Sequence, residues 1–347
     1  MIAKKYEPPK VPMPAREGAG KFEFKEGTGP ITRMVSYGSF MEIYKVDTTA
    51  QLRSPEDVDP ERTNPNAPWV STVDVRAGSG NEIVSRLCVQ SSELLKAVRL
   101  PAGADKEVLL RHMHRIKEEL LQCQQVSRRV SDQVREIIGK IERNEVKRDN
   151  YGRGFNPFPQ VKDLHHEANN FLISANKVVR AICGIPRLYV RVKEDSNFDY
   201  LAKTLVGVVA ADSDLSRFVT DQADSVRRIV DLRNYAEHAR DDRQTEIANF
   251  KVQADGRIRV PFWGMLKGEE TNIHEEMEAI TLYLQDIAEG MFILSLQQFR
   301  PQNFPMILVA VEQPDPECPL FYQFVPDMSK LKFEGLGRTD EMPASGR

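Results

Sequence analysis

Residues 105–147 read DKEVLLRHMHRIKEELLQCQQVSRRVSDQVREIIGKIERNEVK. Their spacing predicts one long helix. Apolar side chains fall at Leu109, Met113, Ile116, Leu120, Cys123, Val130, Val134, Ile137 and Ile141, in alternating steps of four and three, with Ser127 in the one polar slot. Steps of that size return to one face of an α-helix, so an apolar seam runs for about four and a half heptads. Such a seam has to be covered. Packing inside the chain's own core is one reading, and an intermolecular coiled coil is the other. Arginines alternate with glutamates and aspartates on the opposite side, which marks a solvated face.

Working outward, Tyr151, Gly152, Gly154, Pro157 and Pro159 make a loop, and a second amphipathic helix spans 161–182. A short connection between two such helices favours an antiparallel hairpin. Upstream, 81–100 reads as a helix stopped by Pro101. Downstream, helices are expected at 198–211, at 213–241 with Ser213 as N-cap, and at 271–299 before Pro301. Strand signals are short: 21–25, 33–46, 306–311 and 320–325, with a hairpin at 251–262 around Ala254-Asp255-Gly256. Nine of the 21 prolines fall before residue 75, so that zone reads as extended or looped, with 1–20 and the residues after 335 as tails. The expected fold class is mainly α: a helical bundle with a long antiparallel hairpin and small peripheral β elements. The expected regions are 1–78, extended or β; 79–300, the bundle with a 251–262 hairpin insertion; and 301–347, a short β extension and tail.

Composition narrows the functional classes. Lysine and arginine number 48 against 51 aspartates and glutamates, for a net charge of −3 over 347 residues. No global basic excess is present to hold nucleic acid non-specifically, so any such contact needs a local patch. The longest clean apolar run, 306–311, is far short of the ~20 residues of a membrane span, and no membrane partner is expected. Cys88, Cys123, Cys183 and Cys318 are scattered, with no C-x-x-C pair, which points away from a disulfide framework and towards a reducing cytoplasm.

One motif carries chemistry. Arg233-Asn234-Tyr235-Ala236-Glu237-His238 lies late in a helical run and places a histidine five residues after an arginine. Histidine can give or take a proton near neutral pH, and arginine stays charged and grips two phosphate oxygens. RNA carries its own nucleophile, the 2′-OH, so this pair can serve strand cleavage without a metal. On an ideal helix the two side chains would point ~140° apart. They converge only where the helix frays or a second subunit completes the site. Arg233 and Glu237, four residues apart, can also simply pair. Arg233 further continues the stripe of Val219, Val226, Ile229 and Val230 and can snorkel from the core edge.

The six residues resemble the R-x4-6-H signature of HEPN-domain proteins in its R-N-x-x-x-H form. The resemblance implies a small helical bundle. It also implies a metal-independent endoribonuclease or RNA-binding protein, acting as a homodimer with a composite cleft. It suggests a bacterial or phage defence or toxin–antitoxin setting, with an antitoxin or other protein partner. Arg233 would then stabilise phosphate, His238 act as acid or base, and Asn234 position, with Tyr235 stacking on a base and Arg240 and Arg243 gripping the strand. No cofactor and no metal are implied.

Other patterns are weaker. His112 and His114 point to different faces of one helix, and His165 and His166 lie roughly 50 Å further along the hairpin, so the two pairs cannot share a metal. No E-x-x-H or H-E-x-x-H is present. Gly18-Ala19-Gly20-Lys21 lacks the first glycine of a phosphate loop, and Ser174-Ala175-Asn176-Lys177 has no partner motif. Pro261-Phe262-Trp263-Gly264 is either core packing or a binding lip. The alternative function is a non-catalytic helical scaffold, and a third reading is a nucleotide or small-ligand sensor using the same cleft.

Overall fold

The computed structural model describes residues 16, 22–146, 154–190, 197–238, 240, 242–266, 268–300 and 305–328. Most of the expected tails and the Gly18–Lys21 stretch lie outside them. Four long helices pack side by side: α4 (Lys106–Glu142), α5 (Leu164–Gly184), α7 (Asp214–Glu237) and α8 (Ile273–Phe299). The seam faces inward. Leu109, Met113, Ile116, Leu120, Cys123, Val130 and Val134 are all buried. They pack with Phe171, Val178 and Ile182 of α5 and with Leu284, Met291 and Phe292 of α8 in one core. α4 and α5 run antiparallel, since Lys177 reaches Glu119 and Arg129 reaches Glu167. The seam is therefore core packing within the chain.

Capping explains the helix starts. Asp105 accepts from Glu107 N and Val108 N at the head of α4, and Ser213 accepts from Ser216 N at the head of α7. α6 is shorter than the sequence suggests, Phe198–Leu205, and packs on α7. The expected 81–100 helix is a compound element: α2 (Glu82–Val84), a π-helical turn over Ser85–Gln90, and α3 (Ser91–Ala97). The wider turn sets Gln90 between α8 and the backbone at 321–322. Its Nε2 donates to Glu289 on α8 at 2.5 Å, and its Oε1 accepts from the backbone N–H groups of Phe321 and Tyr322 at 2.6 and 2.8 Å.

The mainly α expectation is overturned. Helix accounts for 49% of the chain and strand for 17%, and the strands form four separate sheets, so the fold is a mix of helices and antiparallel sheets. β1 (Arg33–Ser36), β2 (Met41–Tyr44), β3 (Thr49–Arg53) and β4 (Val70–Asp74) make a meander in sequence order, with the one-turn α1 (Pro55–Val58) between β3 and β4. β5 (Thr245–Ala248), β8 (Phe262–Met265) and β9 (Glu270–Asn272) make a second sheet, interrupted by the β6 (Lys251–Val252) and β7 (Ile258–Arg259) hairpin. β10 (Met306–Ala310) pairs with β11 (Tyr322–Pro326). The strands have two to five residues, too short for alternation to show, and β4 is largely exposed on both faces. The expected strand at 21–25 does not form over residues 22–25, where Phe22 and Phe24 instead cover the outer face of the meander against Ile43, Ala50 and Leu52.

Two further anchors hold sheets to helices. Trp263, fully buried against Phe171, donates from Nε1 to Glu276 on α8. The same carboxylate accepts from Thr271 on β9 and from Arg228 on α7. The aromatic cluster at 261–264 is thus packing. The second anchor joins β2 to α4 through Glu42 and Lys117, described below. α8 is long and apolar enough to cross a membrane by length and composition, and 67% of that stretch is buried inside the protein as a core helix.

Candidate functional site

The Arg233–His238 motif ends α7. Its helical hydrogen bonding persists to His238 N, which donates to Asn234 O at 2.9 Å, but His238 itself turns away at φ −123°, ψ 51°. The backbones of Arg240 and Arg243 then bond to one another in both directions, at 2.8 and 3.0 Å, and the chain enters β5. Thr245 Oγ1 donates to Leu232 O at 2.9 Å and satisfies one of the carbonyls left over at the helix end. The site therefore sits at a helix-to-sheet corner.

This exit brings the two motif residues towards one carboxylate. Arg233 Nη2 pairs with Glu237 Oε2, and His238 Nε2 lies 3.9 Å from the same oxygen. Arg233 Nη1 donates to Asn234 Oδ1 at 3.0 Å, and Arg233 Nε is buried with no hydrogen-bond partner. The Arg233 side chain is 21% exposed and the His238 side chain 72%. The arginine thus rests at the core edge and pairs with Glu237, and the imidazole stands in solvent. Tyr235 is half-buried, and Arg240 and Arg243 are exposed. The C-terminal end of a helix carries partial negative charge. An anion bound here would be held by side-chain cations and not by helix N–H groups.

Asn234 also lines a polar cleft of about 390 Å³ between α5, α6 and α7, with Asn176, Arg180, Phe198, Arg227 and Asp231 among its walls. Burial raises the Asp231 carboxyl above its ordinary range. Asp199 adds to this, and Arg227 and Arg243 oppose it. Arg227 is itself engaged by Asp199 and Asp224.

Sequence reasoning missed a buried polar cluster around Glu42. Glu42, 3% exposed, accepts from Tyr44 Oη at 2.6 Å, Tyr37 Oη at 3.3 Å, and Lys117 Nζ at 2.9 and 3.1 Å; its Oε1 lies 2.9 Å from His114 Nε2. Burial alone would raise the Glu42 carboxyl, but the His114 hydrogen bond and the Lys117 charge outweigh it and bring it to about 2. Lys117 also pairs with Glu118 at 2.7 Å, and Glu118 with Arg76 at 2.7 Å. Glu42, His114 and Glu118 offer ligand atoms close enough together for one metal ion. The Lys117 ammonium already lies against both carboxylates, so the cluster carries its own cation. His112 faces elsewhere, with its Nε2 2.6 Å from Ala181 O. One sequence signal was available: Lys117 lies one heptad after the buried Leu110, on the widened flank of the seam.

Comparison of the chain with protein-family models, curated proteins and solved structures returns no match.

Proposed function

We propose that the chain is a HEPN-like RNA-binding protein that cleaves RNA without a metal at the end of α7. The observation that supports this reading is the meeting of Arg233 and His238 on the Glu237 carboxylate, with the imidazole open to solvent. A carboxylate between a guanidinium and an imidazole marks a position that suits an anion. A phosphodiester placed there would have Arg233 against its non-bridging oxygens and His238 within reach of the 2′-OH or the leaving 5′-oxygen. In such a reaction the base takes the 2′-OH proton, the 2′-oxygen attacks phosphorus, and the acid protonates the departing oxygen. The products are a 2′,3′-cyclic phosphate and a 5′-OH. One motif supplies one imidazole, so the acid and base come from two copies in a homodimer. Arg240 and Arg243 add cations to the strand path, and Tyr235 flanks it. The setting is the reducing cytoplasm, in defence or toxin–antitoxin control.

The test is binding of a fluorescein-labelled single-stranded RNA by anisotropy. The wild-type protein binds, and Arg233→Ala with Arg240→Ala loses roughly tenfold or more while staying folded. Equal binding by both proteins contradicts the reading.

A second reading is a non-catalytic scaffold. It is favoured by the same ion pair taken as final: Arg233 is already engaged by Glu237 and Asn234. In that case removing Glu237 destabilises the helix end and gains no RNA affinity.

A further inference from the structure

β4 is the last strand of the meander and pairs with β3 alone. The direction of its backbone groups follows from the ladder. In the β2–β3 hairpin Lys45 N donates to Thr48 O at 2.9 Å. An antiparallel strand turns successive residues to opposite neighbours. Met41 and Ile43 therefore bond to Leu52 and Ala50, while Thr49, Gln51 and Arg53 turn the other way, to Asp74, Thr72 and Val70. That leaves the N–H and C=O groups of Ser71 and Val73 pointing outward, and among the described residues none of them has a partner.

The side chains point to the same edge. Ser71 stands opposite Leu52 and Val73 opposite Ala50, the buried β3 residues beneath Phe22 and Phe24. Trp69 meets the Phe22 ring edge-on at 5.8 Å. The apolar outer face thus runs on into β4, where Trp69, Val73 and Val75 are exposed, Val75 at 70%. Free edges usually carry a lysine, a proline or a bulge that blocks pairing. Val70–Asp74 carries no lysine or proline, and its one charge, Asp74, is engaged by Arg76. The opposite edge of the meander is flanked by a helix: Met34 and Ser36 of β1 line a small cavity with Ser92, Leu95 and Lys96 of α3.

We propose that β4 pairs antiparallel with β4 of a second copy, about a two-fold axis at Thr72. Self-complementarity argues for a second copy over an unrelated strand. Of the axes that the hydrogen-bond direction allows, the one at Thr72 pairs all five residues of the strand. It sets the outward groups of Ser71 against those of the partner's Val73, and the reverse, so each donor meets an acceptor. On the outer face Trp69 falls opposite the partner's Val75. On the other face Thr72 meets the partner's Thr72, and Val70 meets the partner's Asp74, so no like charges are opposed. A slip of one residue would set outward groups against groups already bonded to β3. An axis at Asp74 would oppose two carboxylates. The edge shares no residue with the end of α7, so the proposal is independent of the RNA reading.

The test is sedimentation velocity of the full chain over a dilution series, without RNA. The wild-type protein is expected to dimerise. Val73→Lys enters twice per dimer and should weaken it roughly tenfold or more. Val73→Pro removes an outward N–H that β3 does not use and should do the same, whereas Val73→Thr keeps the dimer. Circular dichroism checks that each variant is folded. Thr72→Cys reads the register. Opposed residues of a non-hydrogen-bonded pair lie about 4.5 Å apart at Cα, within disulfide reach, and the native cysteines are buried. Diamide should link Thr72→Cys into a covalent dimer and leave Val70→Cys unlinked. Failure of Thr72→Cys to link overturns the proposal. So does a dimer indifferent to Val73→Lys and Val73→Pro, whose interface lies elsewhere. A monomeric wild type overturns it as well. In that case a new thiol at position 72 shielded from maleimide means that another part of the same chain covers the edge, and a freely reacting one means that the edge is open.

Discussion

Lys117 donates to both carboxylate oxygens of Glu42, at 2.9 and 3.1 Å, across 75 positions of sequence, and both residues are almost fully buried. This pair fastens the β1–β4 meander to α4. Two buried charges gain little over a well-packed apolar pair, but removing one partner strands the other. Lys117→Met is therefore expected to cost about 3–5 kcal/mol. Lys117→Met with Glu42→Gln should recover part of that loss. Urea unfolding followed by circular dichroism measures both. A single variant as stable as the wild type would show that Glu42 is satisfied without the ammonium.

The same pair sets an acid limb. The folded Glu42 carboxyl lies at about 2, below its ordinary 4.5. A depressed carboxylate contributes stability that is fully present above its unfolded value and is lost as pH falls through the folded one. The contribution from Glu42 should fade between about pH 4.5 and pH 2. Glu42→Gln should flatten the stability profile in that window and leave its slope unchanged above pH 5. Urea midpoints at half-unit pH steps would show an unaltered slope if the network were open to water.

The thiols give a packing test. Burial pushes the Cys88 thiol up to about 12, with Glu42 adding and Lys117 opposing, and burial also raises Cys123. The reactive species is the thiolate, so both are inert in the folded chain. An aromatic disulfide reagent should leave them unmodified at pH 8 and react with both in denaturant. Rapid labelling of Cys88 in native protein would mean that the π-helical turn opens.

Glu237 competes with any anion for Arg233. Glu237→Gln keeps the side-chain shape and removes the charge, so RNA affinity should rise about three- to tenfold, an effect that shrinks with added salt. Anisotropy at two salt concentrations measures this. An unchanged affinity would favour the scaffold reading.

What could be read from the sequence was the long-range periodicity. The seam from Leu109 to Ile137 was visible because its spacing repeats over many turns, and the cap at Ser213 because a serine stands just before a helical run. The three-stranded β5-β8-β9 sheet was not, because its strands are three or four residues long and a hairpin divides them. β3 and β4 were hidden among prolines. At the site, the Arg233–Glu237 pair followed from i, i+4 spacing. The exit of His238 is accompanied by the Arg240–Arg243 turn and by the bond from Thr245 back to Leu232, neither of which helical spacing reveals. Glu42 carries little local signal, since apart from Tyr37 and Tyr44 its partners, His114 and Lys117, come from α4, more than 70 residues away.

The proposed cleavage calls for a dimer. If two copies each lend one imidazole, specific activity should fall on dilution through the dissociation range. Excess His238→Ala protomers mixed with wild type should lower activity beyond simple dilution, because a mixed dimer holds a single imidazole. Light scattering beside the activity assay reads both. Activity strictly proportional to protein concentration in a monomeric sample would remove the composite site.

The most direct measurement is incubation of purified protein with a mixed RNA substrate in EDTA, beside His238→Ala and Arg233→Ala. Cleavage should survive EDTA, leave 2′,3′-cyclic phosphate ends and be lost in both variants. Intact RNA after incubation with well-folded wild-type protein between pH 5 and 8, or equal cleavage by the variants, would contradict it.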